Sequence, residues 1–410
     1  MRFAYVGAGY PSYLEAFYAA RPLLALAPVA EQEQALYSDG FSWNGCWADA
    51  LLERGYETRD FYLGVTPLDR AWHRENPNAS ISTDSGAIAL LRLRQYRPDV
   101  VLYDHNDAQL LRELTTGPDA PIVIGWEGGG LSRQACWPYF DLLLSCAPES
   151  VALVRAAGVR AEQMHHAFNP KVLGRLEPAP RENRALFIGQ LVREGDFHMR
   201  REINLVRICA AGLPFDIHSP SYDYGLRDDL MAIAQMGAYL AYQPVARVPG
   251  FGRLLSRLPL GYMGSPGRAF PLLPVYPHLR CNLKPGYFGV DIYACLARSA
   301  VCLNFHADTT PDYASNMRLF ETTGIGTCLL TDARRNLPDL FEPDREILSF
   351  ENVDECIEKM RWLLDHPEQA RAIASAGQAR TLRDHTFARR SEELDQHIRR
   401  TQQLRSTAAR

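Results

Sequence analysis

The chain lacks any run of the eighteen or so uninterrupted apolar residues that a membrane-spanning helix needs. It also lacks a Cys-x-x-Cys pair among its nine cysteines, at positions 46, 136, 146, 209, 281, 295, 302, 328 and 356. That odd, unpaired spacing argues against a disulfide framework and against structural zinc, and reduced, mostly buried thiols are expected. No aspartate or glutamate occurs from Met231 to Val290, although Arg247, Arg253, Arg257, Arg268, Arg280 and Lys284 all do. With Leu254, Leu255, Leu258, Leu260 and Phe270 among them, the stretch reads either as a packing insert whose arginines face water or as a surface for anionic ligands. The net charge of -4 over 410 residues is mild and argues against a general nucleic-acid binder.

What is present describes an ordinary globular protein, 47% hydrophobic and 22% charged. The opening MRFAYVGAGY reads as a strand rather than as a basic, then apolar, signal segment, so a cytoplasmic location is expected. The length exceeds what one core covers and predicts two domains.

The first half alternates apolar strands with amphipathic helices. Strands are read over 3 to 7, 57 to 63, 99 to 105, 121 to 130 and 141 to 146, with helices around Trp47 to Gly55, Gly86 to Tyr96 and Pro148 to Ala157. Continuous apolar runs joined by helices indicate a parallel sheet covered on both faces. Residues 169 to 184 are rich in proline and charge, as a linker should be. The rhythm then restarts at 184 to 189 and 214 to 219, and again from Val290 with a helix to Arg298, a strand over 300 to 306 and another over 326 to 332. Residues 218 to 290 are the least regular. The tail reads as helices from Val353, from a cap before Pro367 and from beyond Thr386, with fraying after Arg400.

Two doubly wound domains place a ligand at the carboxyl ends of their strands. In the second domain that directs attention to 189 to 201, to the segment before Val290 and to 306 to 318. Ser315 and Asn316 are residue types that cap a helix, and the helix start they would mark suits a diphosphate. Arg318 adds a fork-shaped donor for phosphate oxygens, and Glu321, one turn on, can accept two hydrogen bonds from a ribose diol.

The stretch NMRLFETTGIGTCLLTD (316 to 332), with LPDLFEPDREILSFENVDECIEKMRWLLDHPEQARAIASAGQARTLRDHTFARR after it, resembles the C-terminal nucleotide-sugar domain of GT-B glycosyltransferases. It is most similar to the group-1-like branch that holds spore-maturation (CgeB-like) and bacterial surface-polysaccharide enzymes. The similarity is strong from about Val290 to Arg390, weaker over 184 to 219 and architectural in the N-terminal half. It implies an α/β protein of two Rossmann-like parallel-sheet domains facing a cleft, with the C-terminal helix crossing back. The boundaries it implies are 1 to 175 with 386 to 410 for the acceptor domain, and 184 to 385 for the donor domain with an insert over 220 to 289. In the family, the glutamate matched by Glu321 binds the donor ribose, and the glycines matched by Gly324 and Gly326 let the next strand pack closely. Many retaining members carry a second glutamate where this chain has Tyr313, so the stereochemistry is left open. Arg193 matches a diphosphate-binding position, with His198 and Arg201 nearby, and Lys284 is a second candidate cation.

The acceptor belongs to the first domain. GAGYPSY (7 to 13) lacks the third glycine of a dinucleotide fingerprint. Glu127 at the end of one strand, and His105 beside Asp104 and Asp107 at the end of another, are the candidate bases; an inverting transfer needs one. The expected function is sugar transfer from a nucleoside diphosphate sugar to a saccharide or lipid-linked acceptor in bacterial surface-glycan synthesis. No cofactor and no metal are expected, since fixed cations can stabilise the leaving phosphates and the chain shows no Asp-x-Asp pair in a candidate donor loop. Peripheral contact with the inner face of a membrane is read through 244 to 285. A nucleotide-sugar epimerase of similar architecture and a catalytically degenerate binding scaffold fit the same pattern.

Overall fold

The structure is a computed structural model and describes residues 1–79, 84–128, 133–191, 199–246, 248, 255 and 257–408. The chain divides into two compact units, a larger one of Met1–Asn183 with Phe288–Arg410 and a smaller one of Arg184–Tyr287. Two six-stranded parallel sheets run through it.

The first sheet is built from β1 (Arg2–Ala8), β2 (Glu57–Leu63), β3 (Val100–Asp104), β4 (Ile122–Glu127), β5 (Leu142–Ser145) and β6 (Ala161–Gln163), in the order β2-β1-β3-β4-β5-β6. Register explains why its middle strands β1, β3, β4 and β5 are largely apolar. Tyr5, Leu102, Ile124 and Leu142 lie in one row across four strands. They join Trp43, Trp47, Phe387, Leu394 and Ile398 in a core on that face. Val6, Val101 and Val123 point the other way, into a second core with Leu90, Leu93, Leu110 and Leu111. A sheet buried on both faces permits no polar alternation.

The C-terminal helix, Phe387–Ala408, covers the first of these faces. The Phe387 ring meets Trp47 edge-on at 5.0 Å, and Tyr56 donates to Asp395 at 2.5 Å. The expected fraying after Arg400 is corrected here. Helix continues to Ala408 because Arg405 forks onto the Asp141 carboxylate at 2.5 and 2.7 Å and reaches the Ala120 carbonyl. The cap expected before Pro367 is also absent, since the N-cap is His366 and its side chain makes no capping bond.

The second sheet is formed by β7 (Glu182–Ile188), β8 (Phe215–His218), β9 (Leu283–Lys284), β10 (Ser299–Asn304), β11 (Cys328–Asp332) and β12 (Leu348–Phe350). In the larger unit β12-β11-β10 run side by side, with Leu303 opposite Leu330 and Leu330 opposite Leu348. A Cβ on Gly324 would sit 2.3 Å from Cγ of Phe168, so only glycine lets the helix Arg318–Gly324 approach that ring. Gly324→Ala is expected to lower stability by about 1–3 kcal/mol, the usual cost of overpacking. A denaturant midpoint unchanged from that of the parent chain would contradict this.

In the smaller unit, β8 lies between β7 and β9. Asp216 on β8 binds Arg184 at 2.7 and 2.9 Å and Lys284 at 3.0 Å. The helix Met199–Ala210 packs here, its Glu202 accepting from the Tyr276 backbone N–H at 2.8 Å. The stretch read as irregular holds a 21-residue helix, Leu226–Ala246. Leucine, methionine, alanine and glutamine favour helix along most of it, and Pro244 stands near its end.

Candidate functional site

The first sheet reverses its strand order between β1 and β3, the position where doubly wound sheets open a crevice at their carboxyl ends. Asp104, the last residue of β3, lies there, paired with Arg133 at 2.6 Å and accepting from the Tyr5 hydroxyl at 3.3 Å. Burial raises the Asp104 carboxyl above its ordinary range, and Arg133 and Tyr5 offset part of the rise. His105 follows it. Burial holds its imidazole below 6.5, with Arg133 pushing the same way and Asp107 opposing, so the ring is neutral at pH 7. Its Nδ1 is buried without a hydrogen-bond partner. Glu127 ends β4 at 1% exposure, and its Oε1 accepts the Arg133 backbone N–H at 3.1 Å. The carboxylate thus braces the segment that carries Arg133.

The loop after β10 holds the second group. Arg318 and Glu321 form an ion pair of 2.8 Å, with side chains only 15% and 8% exposed. The Tyr293 hydroxyl is bonded to Glu321, and burial together with that carboxylate drives its pKa well up. Ser315 and Asn316 do not cap the helix, which corrects the local reading. The N-cap is Met317, without a side-chain cap bond. Asn316 instead turns back, donating to Asn304 Oδ1 at 2.7 Å and to the Phe305 carbonyl, while Ser315 shares a hydrogen bond with Thr310 at 3.1 Å. The Asn316 amide is thereby turned toward β10, and its Oδ1, the atom a cap would use, is left without a partner.

Residues that sequence reasoning missed complete this neighbourhood. His306 Nδ1 bonds Asp332 at 2.7 Å, and Arg334 holds the other carboxylate oxygen at 2.6 Å. Burial alone would raise the Asp332 carboxyl, but His306 and Arg334 together keep it low. Glu149, in the first turn of the helix Pro148–Ala156, accepts the backbone N–H groups of Asp312 and Tyr313 at 3.1 and 3.2 Å through Oε1. No local pattern signals a contact 163 residues apart. Buried atoms without a hydrogen-bond partner gather on this loop and its contacts: His306 Nε2, Asn316 Oδ1, Arg318 Nε and Glu149 Oε2. Beyond Tyr293 opens a cavity of 280 Å³ whose lining includes Tyr37, Cys46, Asp49, Asn169 and Lys171.

Of the remaining sequence candidates, Arg193 and His198 lie outside the described residues. Arg201 is buried, donating to the Gln190 carbonyl at 3.1 Å and lying over the Phe187 ring. Lys284 belongs to the smaller unit, where Asp216 engages its ammonium.

Residues 250–396 match the family model described as glycosyl transferase-like. No curated protein sequence matches the chain. Among solved structures, one similar in fold is an α-glucosyltransferase in complex with UDP-glucose and DNA containing an abasic site (TM-score 0.56, 11% identity, 97% of this chain and 99% of that one). Another is Anabaena HepE in complex with UDP-glucose (TM-score 0.52, 10% identity, 97% and 99%). A third is sucrose-phosphate synthase from Thermosynechococcus elongatus (TM-score 0.51, 10% identity, 98% and 99%). The fold is that of the GT-B glycosyltransferases.

Proposed function

We propose that this chain, with its GT-B fold and a glycosyl transferase-like segment over 250–396, moves a sugar from a nucleoside diphosphate sugar to a saccharide or lipid-linked acceptor in bacterial surface-glycan synthesis. The observation that carries the reading is the buried Arg318–Glu321 pair, set among polar atoms that the protein itself leaves unbonded. Leaving such atoms unsatisfied costs about 1–3 kcal/mol each, which a ligand rich in donors and acceptors would recover. The diphosphate lies against Arg318, with Ser315 and Asn316 shaping the loop, and the ribose diol lies against Glu321. Arg193 and Lys284 are the further cations of this proposal. UDP is the first nucleotide to test, because two of the similar structures carry UDP-glucose.

On the acceptor side His105 is the proposed base. Its neutral ring at the β1–β3 switch point can take a proton from an acceptor hydroxyl near pH 7. Glu127 positions the segment next to it. Leaving-group charge is stabilised by fixed cations, without a metal.

Thermal shift against UDP, GDP, dTDP and CMP tests the donor, since a ligand of the native state raises its apparent stability. Release of free sugar from the matching nucleotide sugar then separates an active transferase from a binding scaffold, and the absence of an epimer separates it from an epimerase. His105→Gln is expected to reduce kcat by roughly a hundredfold or more while donor affinity stays constant. Full kcat in that variant would remove His105 from the base role.

A further inference from the structure

The helix Leu226–Ala246 has its amphipathic pattern turned inside out. Leu226, Leu230, Ile233, Gly237 and Leu240 recur at spacings of four and three, which places them on one stripe of the helix. Their apolar members are exposed, Leu226 at 74%, Leu230 at 57%, Ile233 at 55% and Leu240 at 65%, and Met231 beside them at 50%. The opposite side carries the polar groups and faces the protein. Gln235 donates to the Tyr262 hydroxyl at 3.0 Å, Gln243 to the carbonyls of Met263 and Ser265 at 3.0 Å, and the Tyr242 hydroxyl to the Pro259 carbonyl at 3.2 Å. Ala232 is the one fully buried residue of the helix. From Leu230 to Ala246 there is no charged residue at all. Over a helix about 30 Å long, this is an apolar surface of the size that marks an interaction site rather than scattered surface leucines.

Beyond the first turn of the helix, where Asp228 and Asp229 stand, the charge near this surface has one sign. Phe270, 46% exposed, meets Tyr239 of the helix edge-on at 5.3 Å, and the Arg268 guanidinium lies 5.4 Å from the Tyr262 ring centroid. Arg227 stands at the start of the helix and Arg257 is exposed beyond it. Asp229, which precedes the acid-free stretch, is held by Arg280 at 2.6 and 2.7 Å. Past that first turn, a second copy of this surface would meet exposed arginines with no carboxylate between Met231 and Val290 to answer them. An aqueous polyanion would leave the leucine stripe in water. A bilayer with anionic headgroups satisfies both halves, taking the apolar stripe into the boundary between headgroups and acyl chains and the arginines against phosphates.

We propose that the face formed by Leu226, Leu230, Ile233 and Leu240, with the exposed arginines of the acid-free segment, Arg257 and Arg268, docks the protein on an anionic lipid surface. The inference rests on this surface alone and is independent of the donor site. It is tested by co-sedimentation of the full chain with vesicles of phosphatidylglycerol and phosphatidylcholine, against phosphatidylcholine alone. The expected result is binding to the anionic vesicles that weakens as salt is raised, and that falls at least about tenfold in a Leu230→Glu, Ile233→Glu, Leu240→Glu variant. Arg257→Gln with Arg268→Gln is expected to narrow the preference for anionic vesicles. These side chains are exposed, so the variants should keep the parent melting temperature and nucleotide affinity, which also separates failure here from failure of the donor site. Equal binding to both vesicle types, binding to neither, or a dimer in light scattering that the triple variant converts to monomer would each overturn the proposal.

Discussion

Replacing Glu321 with glutamine is expected to weaken UDP binding at least tenfold, about 1.4 kcal/mol or more, in calorimetry. Glutamine keeps the shape and a hydrogen-bonding oxygen near Tyr293 but loses the charge that accepts strongly from a diol. Glu321→Ala should do the same to affinity and also destabilise the fold. Arg318 would then stay buried without its 2.8 Å partner, a situation that costs about 3–5 kcal/mol when a buried pair is broken from one side. Affinity must therefore be measured well below the melting temperature of each variant. Unchanged affinity in the glutamine variant would rule out the ribose contact, whatever the alanine variant does to stability.

The second large effect is on stability against pH. His385 has its Nδ1 3.0 Å from Nη2 of Arg390, a group that can only donate, and its Nε2 3.0 Å from the Leu340 carbonyl, a group that can only accept. This geometry fixes the neutral Nε2–H tautomer. Burial, with Arg390 and Arg380 adding to it, pushes the His385 pKa down to about 4, and burial likewise brings His166 down to about 3 and His165 to about 4. The unfolded value is about 6.5. Between these values the unfolded chain binds more protons than the folded one, so stability falls as pH drops from about 6.5 toward 4. The buried His166 and His385 each contribute a slope of about 1.4 kcal/mol per pH unit. Asp60 runs the other way: burial raises its carboxyl to about 7, so the folded state holds the extra proton there and gains stability as pH falls toward 4. It offsets roughly one of the two histidines. Urea unfolding at pH 7 and pH 5 should show the loss, and His385→Gln should flatten it. An unfolding free energy equal at both pH values would contradict the assignment.

Much of the fold is legible in the sequence where a long periodic segment meets a clear stop. The strand Glu57–Leu63 and the helix Val290–Arg298 have the limits their patterns imply. The tail shows the reverse case. TQQLRSTAAR is polar and carries no periodic signal, and its residues 401–408 are held helical by Arg405 reaching Asp141, a partner that no window of neighbours contains. The helix Leu226–Ala246 was hidden for another reason, since its apolar residues face outward and its surroundings are rich in proline, glycine and tyrosine.

In the candidate site, Arg318 and Glu321 were legible as a pair three residues apart, but their burial was not. The reading of Ser315 and Asn316 as caps rested on local preference alone. Asn304 at the end of β10 instead accepts from the Asn316 amide and turns the side chain away from the helix start. The His306–Asp332–Arg334 chain was missed because it forms across the ends of two adjacent parallel strands, where sequence distance says nothing about contact.

The Glu149 contact has a mechanical consequence. One carboxylate oxygen clamps two successive backbone N–H groups of the loop that leads to Arg318, and the helix bearing that carboxylate, Pro148–Ala156, belongs to the first sheet. The loop can shift only by giving up both bonds together or by dragging the helix with it. The loop that leads to Arg318 is therefore geared to the first sheet through this side chain, and Glu149→Ala is expected to let the two move out of step.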